Sequence, residues 1–116
     1  MKILILEDDG YRVRYFIERF GQHDLKITEN AFTAIECLEK RVFNYLFLDN
    51  DLGDSNGEGV DVADFLHNNP SNLNNSAIII IHSWNITAAQ TIKNKLSNAI
   101  VAPFNTETFF NLNLDI

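Results

Sequence analysis

The sequence has 116 residues, a length typical of one globular domain with a core of its own. Hydrophobic residues make up 46% of the chain and the formal net charge is -7, which argues against binding to nucleic acid or to an anionic membrane, because both need a basic face. Cys37 is the only cysteine, so neither an internal disulfide bond nor a cysteine-rich zinc site can form. We predict a single domain over residues 1–116.

The first half of the chain alternates predicted strands with predicted helices. Residues 2–6 form an apolar run that ends at acidic residues, a pattern typical of a buried strand. Residues 11–20 carry apolar side chains at helical spacing, and residues 25–28 alternate as a short or edge strand does. Asn30 is predicted to be the N-cap of a second helix, and the apolar residues 43–48 predict a strand buried on both faces. The predicted inner face of the first helix consists of Val13, Phe16, Ile17 and Phe20.

The second half of the chain repeats this alternation. A glycine-rich loop precedes a third predicted helix, and the asparagine-rich residues 68–76 are predicted to form one long surface loop. Residues 77–81 are mostly β-branched and uninterrupted, which predicts the fourth strand. The elements predicted after it are a helix around residues 88–96, a short strand at residues 100–101 and a short helix within residues 106–112.

Five strands that alternate with helices predict a parallel sheet covered by helices on both faces. Right-handed crossovers leave few topologies, and the flavodoxin-like strand order 2-1-3-4-5 is the expected one at this length. The first and third strands are neighbours in that order. We therefore predict a three-layer α/β fold with a binding site where these two strands end.

Acidic residues follow both of these strands. Glu7, Asp8 and Asp9 come directly after the first strand, and Asp49 and Asp51 come after the third. Unpaired carboxylates at one point would repel one another, so such a cluster needs protons or a hard cation. We predict a site for Mg²⁺ or Mn²⁺ with Glu7, Asp8, Asp49 and Asp51 as candidate ligands. For the Asp51 side chain, a solvent-facing position in the loop is the alternative.

The segment after the fourth strand supplies further candidates. His82 is predicted to ligate a softer metal, to act as an acid or base, or to bond Asp49, and a purely structural role is its alternative. Ser83 is either a phosphate contact or the cap of the next helix, a position for which Asn85 competes. Trp84 is interpreted as a packing residue, with a partner-facing anchor as the alternative.

The motifs resemble those of the receiver domain of two-component response regulators, and the resemblance covers essentially the whole chain. The opening residues 2–9 are similar to the first strand of that family with its acidic pair, here Glu7 and Asp8. Asp49 occupies the position of the phospho-accepting aspartate, and Asp51 the position whose backbone carbonyl binds the metal. Residues 102–104, Ala-Pro-Phe, match the Lys-Pro-Phe that follows the fifth strand.

The sequence departs from the family at the switch positions. Ala102 replaces the lysine that contacts the phosphoryl group, and Ala99 replaces the aromatic switch residue. His82 or Ser83, depending on the register, occupies the position of the Thr or Ser hydroxyl. The runs 48–53 and 82–85 are similar to those of a divergent, stand-alone branch of receiver-like proteins.

The resemblance implies a CheY-like, single-domain protein of two-component phosphorelay signalling, located in the cytoplasm. It implies Mg²⁺-dependent phosphorylation of Asp49, with Ser83 and His82 as further site residues, and self-phosphorylation or dephosphorylation as the most that it would catalyse. The expected partners are proteins, such as a histidine kinase or a phosphotransfer protein, without nucleic acid or membrane. The expected state is a monomer or a weak homodimer.

Two other functions fit part of the pattern. A Toprim-like metal nuclease also has a glutamate after its first strand and an Asp-x-Asp after its third, as Glu7 and residues 49–51 have here. Asp8 stands where that family prefers glycine, and no basic surface for DNA is evident. The other alternative is a degenerate pseudo-receiver that binds proteins and has lost the chemistry.

Overall fold

A computed structural model describes all residues, 1–116. The strands are β1 (Lys2–Leu6), β2 (Asp24–Thr28), β3 (Tyr45–Leu48), β4 (Ile78–Ile81) and β5 (Ile100–Val101). The helices are α1 (Gly10–Phe20), α2 (Ala31–Lys40), α3 (Gly59–Asn68), α4 (Ile86–Lys95) and α5 (Glu107–Phe110), and a 3-10 helix spans Leu73–Ser76.

The five strands form one parallel sheet in the order β2-β1-β3-β4-β5, as predicted. The register pairs Leu6 of β1 with Leu48 of β3, and Leu48 with Ile81 of β4. The three central strands therefore end side by side. The predicted fold class is confirmed, and the residue after each of these strands is brought to one edge of the sheet.

Alternate strand residues enter two separate cores, because successive side chains of a strand point to opposite faces. Leu4 and Leu46 pack in the core between the sheet and α2, α3 and α4. Ile5 and Phe47 pack on the other face with α1 and residues after β5. Burying one such side chain contributes roughly 1.5–3 kcal/mol. The two cores hold the ends of the strands in fixed positions.

Side-chain caps define where the helices begin. The carboxylate of Asp9 accepts a hydrogen bond from the backbone N–H of Arg12 at the start of α1. Asn30 caps α2 as predicted. Asn85, rather than Ser83, caps α4. These caps satisfy backbone donors that a helix leaves free in its first turn.

Two predictions about the first helix and the asparagine-rich segment are wrong in part. Ile17 is 53% exposed, so the inner face of α1 is narrower than its spacing indicates. The segment of residues 68–76 is not simply a surface loop, because the buried Asn74 donates to the carbonyls of Leu38 and Arg41. No helix of this protein has the length and apolar character that a bilayer crossing requires.

Candidate functional site

The site lies where β1, β3 and β4 end, and the sheet register creates it. Each of the three paired residues at the strand ends is followed by a polar residue: Glu7, Asp49 and His82. All three are buried, and one potential ligand atom from each lies within 4.8 Å of the others. An open cavity of about 460 Å³ adjoins them. The cavity is lined by Glu7, Asp8, Asp9, Arg12, Asp49, Asp51, Ser83, Trp84 and Asn85.

The carboxylate of Glu7 is turned inward and is heavily hydrogen-bonded. One oxygen accepts from the backbone N–H groups of Asp8 and Asp9, at 3.0 and 3.1 Å. The other lies 2.9 Å from Nε2 of His82. Burial opposes ionisation of Glu7, but its bonds to His82 and to the backbone outweigh that effect and hold its pKa below the usual value. Glu7 is therefore ionised at neutral pH.

Asp49 is held differently from Glu7. One of its carboxylate oxygens accepts the backbone N–H of Asn50 at 2.9 Å. Burial, reinforced by the negative charge of Glu7, raises the pKa of Asp49 to about 7, although the positive charge of Arg12 opposes the rise. Asp49 is thus partly protonated near neutral pH. A cation in the cavity would take the place of that proton.

His82 lies behind Glu7 and is fully buried. Its ring packs edge-on against Phe16, with the centroids 5.3 Å apart, and its Nδ1 atom has no hydrogen-bond partner. Burial lowers the pKa of His82 even though Glu7 favours its protonation. A neutral imidazole with its proton on Nε2, donated to Glu7, fits these contacts. Of the predicted roles, bonding to Asp49 is replaced by bonding to Glu7.

Asp8 and Asp51 are exposed at the edge of the cavity. Burial, followed by the charge of Glu7, raises the pKa of Asp8. Asp51 accepts hydrogen bonds from the side-chain amides of Asn50 and Asn85, at 3.1 and 3.2 Å. The Asp51 carboxylate therefore lies at the cavity and is also exposed to solvent, so its role as a metal ligand stays a prediction.

Ser83 and Trp84 also line the cavity. The hydroxyl oxygen of the buried Ser83 accepts the backbone N–H of Asn85 at 3.0 Å. The indole N–H of Trp84 donates to the carbonyl of Phe104 at 2.8 Å, and the side chain is 56% exposed. The interpretation of Trp84 as a packing residue is wrong, since more than half of the residue is exposed and it lines the cavity.

The carboxylates suit a hard divalent cation. Mg²⁺ prefers oxygen ligands and uses few from the protein, and Asp8, Asp49 and Asp51 offer carboxylate oxygens at the open side of the cluster. The buried imidazole of His82 does not line the cavity, and its Nε2 atom is engaged by Glu7. The donor set that faces the cavity therefore fits Mg²⁺ or Mn²⁺ better than a softer metal.

Sequence reasoning missed two residues of the site. The helical spacing of residues 11–20 assigns no role to Arg12, yet this residue lines the cavity and is the only cation there. Gly59 packs directly against the backbone of Asp49, because a Cβ atom at this position would lie 2.1 Å from the carbonyl oxygen of Asp49. A glycine in the first turn of a helix was the available signal for such a close approach.

The lysine that is absent at position 102 has no nearby lysine as a replacement. Ala102 itself is fully buried. Lys93 donates to the carbonyls of Ser97 and Ala99, and Lys95 forms an ion pair with Asp64 at 2.7 Å. Both lysines are therefore engaged away from the cavity.

Solved structures of receiver domains share this fold. The receiver domain of HemR from Leptospira biflexa aligns with a TM-score of 0.72 at 20% identity, over 94% of this chain and 86% of that one. The phosphorylated cyanobacterial phytochrome response regulator RcpA aligns with a TM-score of 0.73 at 16% identity, over 94% of this chain and 84% of that one. A third structure is that of the response regulator TrrA of Thermotoga maritima in complex with Mg²⁺ and beryllium fluoride. It aligns with a TM-score of 0.65 at 18% identity, over 95% of this chain and 94% of that one. These likenesses establish the fold.

The family is established by the sequence. No curated protein is a significant match to the chain. The family model of the cyclic-phosphate processing receiver domain matches residues 2–98, which is most of the chain. The resemblance to CheY-like receiver domains of response regulators is thereby confirmed. This chain belongs to the family of cyclic-phosphate processing receiver domains.

Proposed function

We propose that this receiver domain binds Mg²⁺ or Mn²⁺ in its acidic cavity and opens the ring of a cyclic phosphate there, with Asp49 as the nucleophile. The observation that carries the proposal is the position of Asp49. Its carboxyl group lines the cavity beside an ionised Glu7, and its pKa is raised to about 7, so that it is partly protonated near neutral pH before a cation binds. The name of the family supports a cyclic phosphate as the substrate.

The cation would be held by Asp8 and Asp49, with the backbone carbonyl of Asp51 as a third ligand by resemblance to receiver domains. Glu7 would act through a water molecule. When bound, the cation supplies positive charge that neutralises the phosphate and favours the ionised form of Asp49. Glu7 and His82 form the buried pair behind it, which keeps the ionised carboxylate of Glu7 in place.

The chemistry takes place in two steps. A carboxylate oxygen of Asp49 forms a bond to phosphorus while the bond from phosphorus to one ring oxygen breaks, and that oxygen takes a proton from water in the open cavity. Water then forms a bond to phosphorus, its released proton returns to the solvent, and the carboxylate of Asp49 leaves. The product is a phosphate monoester.

A second candidate function is that of a signalling receiver phosphorylated on Asp49. The position of Asp49 after β3 favours it, and TrrA is a receiver-type neighbour that binds Mg²⁺ with beryllium fluoride. A histidine kinase or a phosphotransfer protein would then be the partner, and the protein would act as a monomer or weak homodimer in the cytoplasm. Ala102 and Ala99 weigh against a conventional switch, since both are buried and neither carries the usual functional group.

The experiment incubates the protein with Mg²⁺ or Mn²⁺ and a nucleoside carrying a five-membered cyclic phosphodiester, and follows the product by phosphorus NMR. We expect metal-dependent conversion to the monoester, lost in Asp49→Asn and kept in Arg14→Gln, whose side chain is exposed on α1. Acetyl phosphate as substrate tests the second candidate through labelling of Asp49. If the protein neither converts the cyclic phosphate nor becomes labelled on Asp49, both candidate functions are contradicted.

Parallel assays separate the remaining alternatives. Metal-dependent nicking of DNA that is lost in Glu7→Gln would indicate the nuclease. Failure to bind either metal would leave the protein-binding pseudo-receiver.

A further inference from the structure

We infer that Arg12 supplies the positive charge that contacts the phosphate oxygens in this cavity, from α1 rather than from the position that Ala102 occupies. The inference deepens the proposed function and rests on it, since it concerns the same cavity. It assigns to Arg12 a direct contact with the ligand.

The first observation is the placement of the guanidinium. The cap formed by Asp9 fixes the backbone of Arg12, whose N–H donates to the Asp9 carboxylate at 3.0 Å. The central carbon of the guanidinium lies 5.2 Å from the centroid of the Phe104 ring, and the side chain is 25% exposed. The same Phe104 holds Trp84 through its carbonyl. Arg12 is thus held at one wall of the cavity with part of its side chain open to it.

The second observation is that the guanidinium still has donors to offer. Its Nη1 atom lies 3.7 Å from the nearest carboxylate oxygen of Glu7, which exceeds a hydrogen-bond distance. That oxygen already accepts from His82 at 2.9 Å. Arginine carries five N–H donors in a planar fork that matches the geometry of phosphate oxygens. The contact with Glu7 therefore orients the guanidinium of Arg12 but leaves its N–H donors free to bind an anion.

The third observation is the charge of the cavity. Arg12 is the only cation among the nine residues that line it, and five of the others are carboxylic acids. Its charge also reaches Asp49, because it acts against the rise in the pKa of that carboxyl. The carboxylates that line the cavity repel an anion, so an anionic ligand needs a positive group there besides the metal. Arg12 is the residue in a position to provide it.

The test compares Arg12→Gln and Arg12→Lys with the control Arg14→Gln, which removes the same charge from the same helix at an exposed position. Each protein is titrated first with Mg²⁺ and then with beryllofluoride, an anion that mimics a phosphoryl group on Asp49, and binding is followed by calorimetry and by the fluorescence of Trp84. The thermal midpoint is measured in parallel.

We expect Arg12→Gln to weaken beryllofluoride binding about tenfold to hundredfold, the range typical of a charged hydrogen bond. Its Mg²⁺ affinity should stay equal or increase, because a positive charge has been removed from beside the carboxylates. Arg12→Lys should keep part of the anion affinity, and Arg14→Gln should match the wild type. A loss of anion affinity without a loss of Mg²⁺ affinity is not expected from a purely structural residue.

Two results would overturn the inference while leaving the proposed function in place. One is beryllofluoride binding by Arg12→Gln equal to that of the wild type. The other is a parallel loss of Mg²⁺ and beryllofluoride binding with a lower thermal midpoint, which would make Arg12 structural. If the wild type with Mg²⁺ bound no beryllofluoride, the proposed nucleophile itself would fail, and the inference would fail with it.

Discussion

Nε2 of His82 lies 2.9 Å from Oε1 of Glu7, and the side chains of both residues are fully buried. This bond joins the end of β1 to the end of β4 across β3. It also keeps an ionised carboxylate away from water, which is unfavourable unless donors surround it. The charge of Glu7 in turn helps to hold Asp49 in its protonated form. The bond between Glu7 and His82 therefore contributes, together with burial, to the raised pKa of Asp49.

Replacing His82 by Phe is expected to destabilise the protein. The variant keeps an aromatic ring beside Phe16 but removes one of the donors to the ionised Glu7, and the loss of a hydrogen bond to a charged group costs about 1.5–3 kcal/mol. The free energy of unfolding in urea measures the effect. The double variant Glu7→Gln/His82→Phe should recover part of the loss, because it also removes the buried charge. Equal instability of the single and double variants would contradict the proposed role of the bond.

The raised pKa of Asp49 predicts how the stability of the folded protein depends on pH. Its pKa is raised from 3.8 to about 7, so between these values the folded protein binds a proton that the unfolded chain releases. The stabilising contribution of the protonated carboxyl is complete at low pH and is lost as the pH rises through about 7. Asp49→Asn should therefore increase the thermal midpoint more at pH values above about 7 than at about pH 5. A gain that is equal at both pH values would show that Asp49 titrates normally.

Gly59→Ala is expected to disturb both the stability and the site. A Cβ atom at Gly59 would meet the carbonyl oxygen of Asp49 at 2.1 Å, and this backbone clash has no flexible partner to relieve it. The expected loss is about 1–3 kcal/mol of unfolding free energy, together with weaker binding of Mg²⁺. Gly10→Ala at the start of α1 is the matched control, since nothing lies within 4 Å of its Cβ position. Identical behaviour of the two variants would contradict the supporting role of Gly59.

Asn85 has two functions that substitutions can separate. Its side-chain oxygen caps α4 at the N–H of Ala88, and its amide donates to Asp51. Asn85→Ala should lose about 1 kcal/mol of stability, whereas Asn85→Ser keeps a capping group and should lose only a few tenths. Both variants should change the response of Trp84 fluorescence to Mg²⁺, because Asp51 loses a donor in each. A response unchanged in the serine variant would separate Asp51 from the metal site.

The fold was predictable because its determinants are local. Each central strand is an uninterrupted apolar run, and the alternation with helices leaves few topologies. The same logic placed Glu7, Asp49 and His82 at the ends of adjacent strands. Which way each side chain turns was not predictable, because the inward turn of Glu7 depends on a histidine far along the chain. Arg12 escaped prediction for a similar reason, since its position depends on Phe104 in a segment after β5.

The central claim is that Asp49 exchanges its proton for a divalent cation. Calorimetric titration with Mg²⁺ at about pH 7, repeated in buffers of different ionisation enthalpy, tests it by counting the protons released on binding. We predict saturable binding with release of a fraction of a proton in the wild type, and no proton release in Asp49→Asn. Absence of Mg²⁺ binding to the wild type, or the same proton release from the variant, would contradict this account.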